Sequence, residues 1–129
     1  MHSNEVVKDI PVRDLNILIA EDIDSNYLLV KSILKNNNVA RAANGAEAIK
    51  LARDNKYDII LMDLKMPVVD GLEATREIRK FDKDTIIIAL TAYAFDSDRN
   101  DAIAAGCNNF ISKPLKRAEL INIIVESLL

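Results

Sequence analysis

Four apolar runs in this chain each lead into a residue that can do chemistry. "LNILIA" at 15–20 runs into Glu21 and Asp22, "DIILM" at 58–62 into Asp63, "TIIIAL" at 85–90 into Thr91, and "NNFIS" at 108–112 into Lys113. Three carboxylates, a hydroxyl and an ammonium make up the set. Clustered carboxylates repel one another and stay ionised together when a cation joins them. Oxygen ligands with room for waters suit Mg²⁺, which takes one or two carboxylates plus phosphate oxygens. A carboxylate held beside such a cation can attack a phosphoryl group and form an aspartyl phosphate. The cation, a lysine and a hydroxyl then neutralise the phosphoryl oxygens as charge develops. Asp63 is the expected nucleophile, because it ends the central run and a lone charge buried there is costly.

These residues converge only if the runs are strands of one sheet. The runs are rich in Ile and Leu and do not alternate with polar residues, which is the pattern of strands covered on both faces. "VARA" at 39–42 reads as a weaker strand between the first two. Helical patterns fill the gaps: "SNYLLVKSILKN", "GAEAIKLARDN", "GLEATREIRK", "DSDRNDAIAAG" and "KRAELINIIVESLL". In the first of these, Leu29, Val30, Ile33 and Leu34 are expected on one buried face. "NNN" at 36–38 reads as that helix's end and turn. Strand and helix alternate five times, which predicts an α/β fold with a parallel sheet. In such a sheet, ligands bind outside the carboxyl ends of the strands. Every residue of the set lies there.

Each residue alone also has a plain structural reading. Acids after a strand often cap a helix, and Asp24 or Ser25 is a candidate cap here. A threonine in a turn and a solvated lysine are ordinary. Their joint placement after four different strands favours function. Cys107 reads as a small core filler, Met62 and Met66 as packing beside the nucleophile, and Asp70-Gly71 as a turn. His2 lies in a polar leader, and Tyr27 is open between core and partner contact.

Composition narrows the partners. The 129 residues suit one domain, 50% of them apolar and 29% charged. A net charge of −3 gives no footprint for nucleic acid or an anionic membrane surface. No apolar run approaches the roughly 18 residues of a membrane span. One cysteine suits a reducing, cytoplasmic setting. Residues 1–13 read as a linker or leader, and 14–129 as the domain.

"ILIAEDIDSN", "LMDLKMPVVDGLEATREIR", "IIALTA" and "AAGCNNFISKPL" together resemble the receiver domain of two-component response regulators. The resemblance runs from about Leu15 to the C-terminus and is closest in character to receivers of hybrid sensor histidine kinases. It implies a flavodoxin-like (βα)5 sandwich with strand order 2-1-3-4-5. It implies that Asp63 takes a phosphoryl group from a phosphohistidine of a histidine kinase or histidine phosphotransfer domain. Asp22 and Asp63 would bind Mg²⁺ directly with the Lys65 backbone carbonyl, and Glu21 through a water. Thr91 would hydrogen-bond the phosphoryl group and Lys113 pair with it, the latter aimed by a cis Lys113–Pro114 bond. Phe110 stands at the switch aromatic, without the hydroxyl a tyrosine carries. Lys65 and Tyr93 stand where the family tunes phosphoryl lifetime. Ile23, where hybrid receivers commonly have Asn, should not touch the metal. Such a domain is a signalling module, catalysing only its own phosphorylation and dephosphorylation. The leader and the "GLEATREIR" helix favour a hybrid-kinase setting over a stand-alone regulator.

Two rival readings share some of these features. A haloacid dehalogenase-type phosphatase would use Asp22 of "DIDS" as nucleophile, but no late acidic metal motif follows Lys113. A flavodoxin-like FMN binder needs hydroxyl- and glycine-rich phosphate loops, and "EDIDSN" offers carboxylates instead.

Overall fold

The computed structural model describes residues 12–92 and 96–129, with no account of the side chains at 96 and 97. Among the described residues there are five strands and five helices in strict alternation. They are β1 (Asn16–Ala20), α1 (Asp24–Ile33), β2 (Asn38–Ala42), α2 (Gly45–Asp54), β3 (Ile59–Asp63), α3 (Gly71–Arg79), β4 (Ile86–Thr91), α4 (Asp96–Ala105), β5 (Asn109–Ser112) and α5 (Arg117–Leu128). The strands form one parallel sheet in the order β2-β1-β3-β4-β5, as expected.

Successive strand side chains point to opposite faces, and both faces are covered. Leu18, Ile60, Met62, Ile87 and Ala89 pack with Ala48 and Ala52 of α2, Ala74 and Ile78 of α3 and Ala102 of α4. On the other face Ile17, Ile19, Ile59, Leu61, Ile88 and Leu90 meet Val30 and Ile33 of α1 and Leu120 and Ile124 of α5. Each buried Ile or Leu contributes about 1.5–3 kcal/mol relative to exposure. β1, β3 and β4 carry most of the buried strand residues, and their last residues lie at the carboxyl edge of the sheet.

The helix starts are set by local chemistry. Asn44 Oδ1 accepts from the Glu47 amide at 2.9 Å, and Asp70 Oδ1 from the Glu73 amide at 2.9 Å. Asp70 is therefore the N-cap of α3, and Gly71 the helix's first residue. α1 starts differently from expectation. Its N-cap position is Ile23, with no side-chain cap, and Asp24 is already helical. Asp24, one residue past the cap position, pairs with Arg41 at 2.8 Å.

Two further expectations are corrected. Leu29 is exposed at 45%, so α1 buries Val30 and Ile33, with Leu34 buried at its C-cap, and leaves Leu29 out. Asn38 opens β2 instead of ending the turn. Asn37 makes that turn: its Oδ1 accepts from the Leu15 amide at 3.1 Å, and its Nδ2 donates to the Val12 and Leu34 carbonyls. Val12 also packs onto the core. Among the described residues, no helix is long and apolar enough to cross a membrane.

Candidate functional site

Asp63 is the last residue of β3 and Thr91 the last of β4. Both sit inside the ladder, Asp63 in register with Leu90 and Thr91 with Ser112. The Leu64 amide donates to the Leu90 carbonyl at 3.0 Å, and the Lys113 amide to the Thr91 carbonyl at 2.7 Å. Main-chain bonds thus fix the exit from β3 and the approach of Lys113. The Lys113–Pro114 bond is cis.

The Lys113 ammonium lies 2.9 Å from Asp63 Oδ2 and 3.1 Å from Glu21 Oε1. Asp63 Oδ1 accepts from the Lys65 amide at 3.1 Å, and Glu21 Oε2 from the Ile23 amide at 3.2 Å. Glu21, Asp63 and Thr91 are buried. Burial pushes the Glu21 carboxyl above the ordinary carboxylate value; the Ile23 amide opposes this and the neighbouring Asp63 reinforces it. Burial draws the Lys113 ammonium down, but Asp63 and Glu21 outweigh it and leave the ammonium above its usual value.

Glu21, Asp22 and Asp63 each offer an oxygen within 4.8 Å of the others. Asp22 Oδ1 is buried with no hydrogen-bond partner among the described residues. A buried, unsatisfied acceptor is rare and calls for a missing partner. The donor set is all oxygen, the chemistry a hard divalent cation requires. The residues present therefore suit a metal such as Mg²⁺. Asp22, Lys65 and Thr91 line a cleft of about 650 Å³ above this point.

Of the residues singled out from sequence, the structure brings Glu21, Asp22, Asp63, Lys65, Thr91 and Lys113 together. Phe110, in β5, is half-buried beside the core, with the Arg99 guanidinium 4.5 Å from its ring centre. Tyr93 lies outside the described residues. Met62, Met66 and Cys107 are core residues. Tyr27 packs against the α1–α5 core layer. Sequence reasoning does not single out Arg41, which donates from Nε and Nη2 to the Glu21 carbonyl, each at 3.1 Å. The available signal was a lone cation in the otherwise small and apolar run "VARA".

A model of the response regulator receiver domain matches residues 17–125. The chain belongs to that family. It is 40% identical over 119 residues to the hybrid signal transduction histidine kinase G of Dictyostelium discoideum, covering 87% of this chain and 4% of that protein. The chain thus spans a small fraction of that relative's length. The crystal structure of a sensor histidine kinase receiver from Pseudomonas aeruginosa is 40% identical with a TM-score of 0.83, over 88% of this chain and 97% of that one. That structure has a magnesium ion coordinated in its active-site cleft. The Saccharomyces cerevisiae receiver of Ssk1, crystallised with the histidine phosphotransfer protein Ypd1, is 33% identical with a TM-score of 0.80, over 84% of each chain. This receiver is a signalling domain of two-component systems, and nothing favours a dehalogenase-type phosphatase.

Proposed function

We propose that Asp63 accepts a phosphoryl group from the phosphohistidine of a histidine kinase or histidine phosphotransfer protein. The observation that carries this reading is the buried Asp63 carboxylate, held between the Lys113 ammonium and the Lys65 amide beside two further acids. In the transfer, an Asp63 oxygen forms the new bond to phosphorus and the P–N bond to the donor imidazole breaks. The electron pair stays on the imidazole nitrogen. Asp22 and Asp63 would hold Mg²⁺ together with the Lys65 carbonyl, and Glu21 would act through a water. Bound there, Mg²⁺ supplies charge neutralisation for the phosphoryl oxygens.

Lys113 then exchanges a carboxylate partner for a phosphoryl oxygen, and the Thr91 hydroxyl donates to another. Both are set at strand ends, so their movement passes to β4 and β5, where Phe110 lies. On this reading the receiver spans residues 14–129, with 1–13 as a linker whose Val12 packs on the core, inside a longer histidine kinase on its cytoplasmic side. By sequence position alone, two residues after Thr91 and two after Asp63, Tyr93 and Lys65 would tune how long the acyl phosphate lasts.

Incubation with acetyl phosphate and Mg²⁺, followed by borohydride trapping and peptide mapping, tests the acceptor. The adduct is expected at Asp63 and absent from Asp63→Asn. An adduct on Asp22 would return the phosphatase reading. Beryllofluoride should shift β4 and β5 resonances in the wild type and far less in Thr91→Ala or Lys113→Ala.

A further inference from the structure

The Glu21 amide makes the last rung between β1 and β2, donating to the Ala42 carbonyl at 3.0 Å. Beyond that rung β2 leaves the sheet toward the Asn44 cap, so the Glu21 carbonyl has no strand to bond. The Arg41 side chain takes that place with two donors, Nε and Nη2, both at 3.1 Å. Its third nitrogen, Nη1, reaches Asp24 at the start of α1 at 2.8 Å. The guanidinium also lies 4.6 Å from the Tyr27 ring centre, one turn further along α1. One side chain thus braces both ends of the segment from Glu21 to Asp24.

The Glu21 carbonyl belongs to the peptide unit whose nitrogen is that of Asp22. Fixing that carbonyl fixes the plane from which the Asp22 side chain departs, and Asp22 carries the buried oxygen without a partner. We propose that Arg41 is a positioning residue for the cation site, holding the Glu21–Asp22 peptide so that the Asp22 carboxylate meets the metal. The inference rests on the metal reading given above. A planar, forked donor suits this role in a way that an ammonium does not. The Asp24 contact is secondary, because the Asp24 side chain is 85% exposed and such pairs contribute little.

Charge and positioning predict opposite signs. As a mere positive charge near three carboxylates, Arg41 repels Mg²⁺, and its removal tightens binding. As a positioning residue, its removal loosens binding.

Mg²⁺ titrations by calorimetry on the 129-residue chain compare wild type, Arg41→Ala, Arg41→Lys and Asp24→Asn. Metal-free hydrogen exchange is followed at the Ile23 amide, which is bonded to Glu21 Oε2. Arg41→Ala should weaken Mg²⁺ binding about tenfold, as loss of an outer-shell partner does, and speed Ile23 exchange. Arg41→Lys should fall between wild type and Arg41→Ala in both. Asp24→Asn should stay within about twofold of wild type. Unchanged or tighter binding in Arg41→Ala overturns the positioning role. Should Arg41→Ala not fold, wild-type affinity and exchange in Arg41→Lys overturn it equally. Absence of Mg²⁺ binding by the wild type overturns the metal reading and the positioning role with it.

Discussion

Lys113 and Asp63, 50 residues apart in sequence, meet at 2.9 Å, and the same ammonium also holds Glu21 at 3.1 Å. One cation therefore offsets two buried carboxylates. Removing it leaves both uncompensated, which for a buried pair costs about 3–5 kcal/mol. Lys113 keeps some contact with water, so the lower end applies. Lys113→Ala is expected to lose about 3 kcal/mol by urea unfolding in chelator at pH 7. Millimolar Mg²⁺ should recover much of this, since a ligand that binds only the folded state stabilises it. A variant as stable as wild type without metal would show that the two carboxylates do not need the ammonium.

Asp22 and Glu21 are adjacent acids with different surroundings. Glu21 already has two partners, the Lys113 ammonium and the Ile23 amide, whereas Asp22 Oδ1 has none among the described residues. The oxygen without a partner is the one ready for a direct metal bond. In Mg²⁺ titrations Asp22→Asn should lose more affinity than Glu21→Gln. The reverse order would make Glu21 the direct ligand.

The core strands were legible because Ile and Leu runs covered on both faces admit few other readings. The convergence of the candidate residues was legible because a parallel sheet presents its strand ends together. What sequence did not reveal were partners across the chain. The exposure of Leu29 depends on how α1 lies on the sheet, and helical spacing alone places it with Val30. Asp24 looks like a cap in sequence, but α1 begins on it and its carboxylate pairs with Arg41 of β2. Arg41 left only a weak trace, a lone cation in "VARA", because its contact with the Glu21 carbonyl depends on where β2 leaves the sheet. Periodicity finds elements, and tertiary contacts decide which polar groups serve them.

Asp82, at the turn before β4, gives the fold one pH-dependent contribution. Partial burial raises its carboxyl, but the Thr85 hydroxyl and amide and the Asp84 amide, with Lys56 nearby, hold it below the ordinary carboxylate value. A carboxyl depressed in the folded state stabilises above its unfolded value, near pH 4. That contribution is lost as pH falls through the folded value. Asp82→Ala should be about 1 kcal/mol less stable at pH 7. The gap should close as the pH drops below about 4. A gap that stays constant from neutral to acid pH would assign the loss to packing instead of charge.

Gly71 decides how closely α3 approaches the nucleophile. A Cβ there would run into the Asp63 carbonyl oxygen and stand 2.8 Å from Leu64 Cα, and both obstacles are backbone. The Gly71 amide meanwhile donates to the Leu64 carbonyl at 3.1 Å, which ties the helix start to the loop leaving β3. Two effects of Gly71→Ala oppose each other. Helix propensity favours alanine by about 1 kcal/mol. Overpacking costs about 1–3 kcal/mol, and an obstacle that cannot rotate away belongs at the upper end. The clash wins, and relief requires α3 to retreat or the Asp63–Leu64 peptide to turn. Either motion moves the carboxylate relative to Lys113 and Asp22. Gly71→Ala should therefore lower the melting temperature, shift the Asp63, Leu64 and Lys65 amide resonances, and slow phosphoryl uptake from acetyl phosphate severalfold. A higher melting temperature with unchanged uptake would mean that propensity wins, and that the closeness of α3 to Asp63 does not constrain the site.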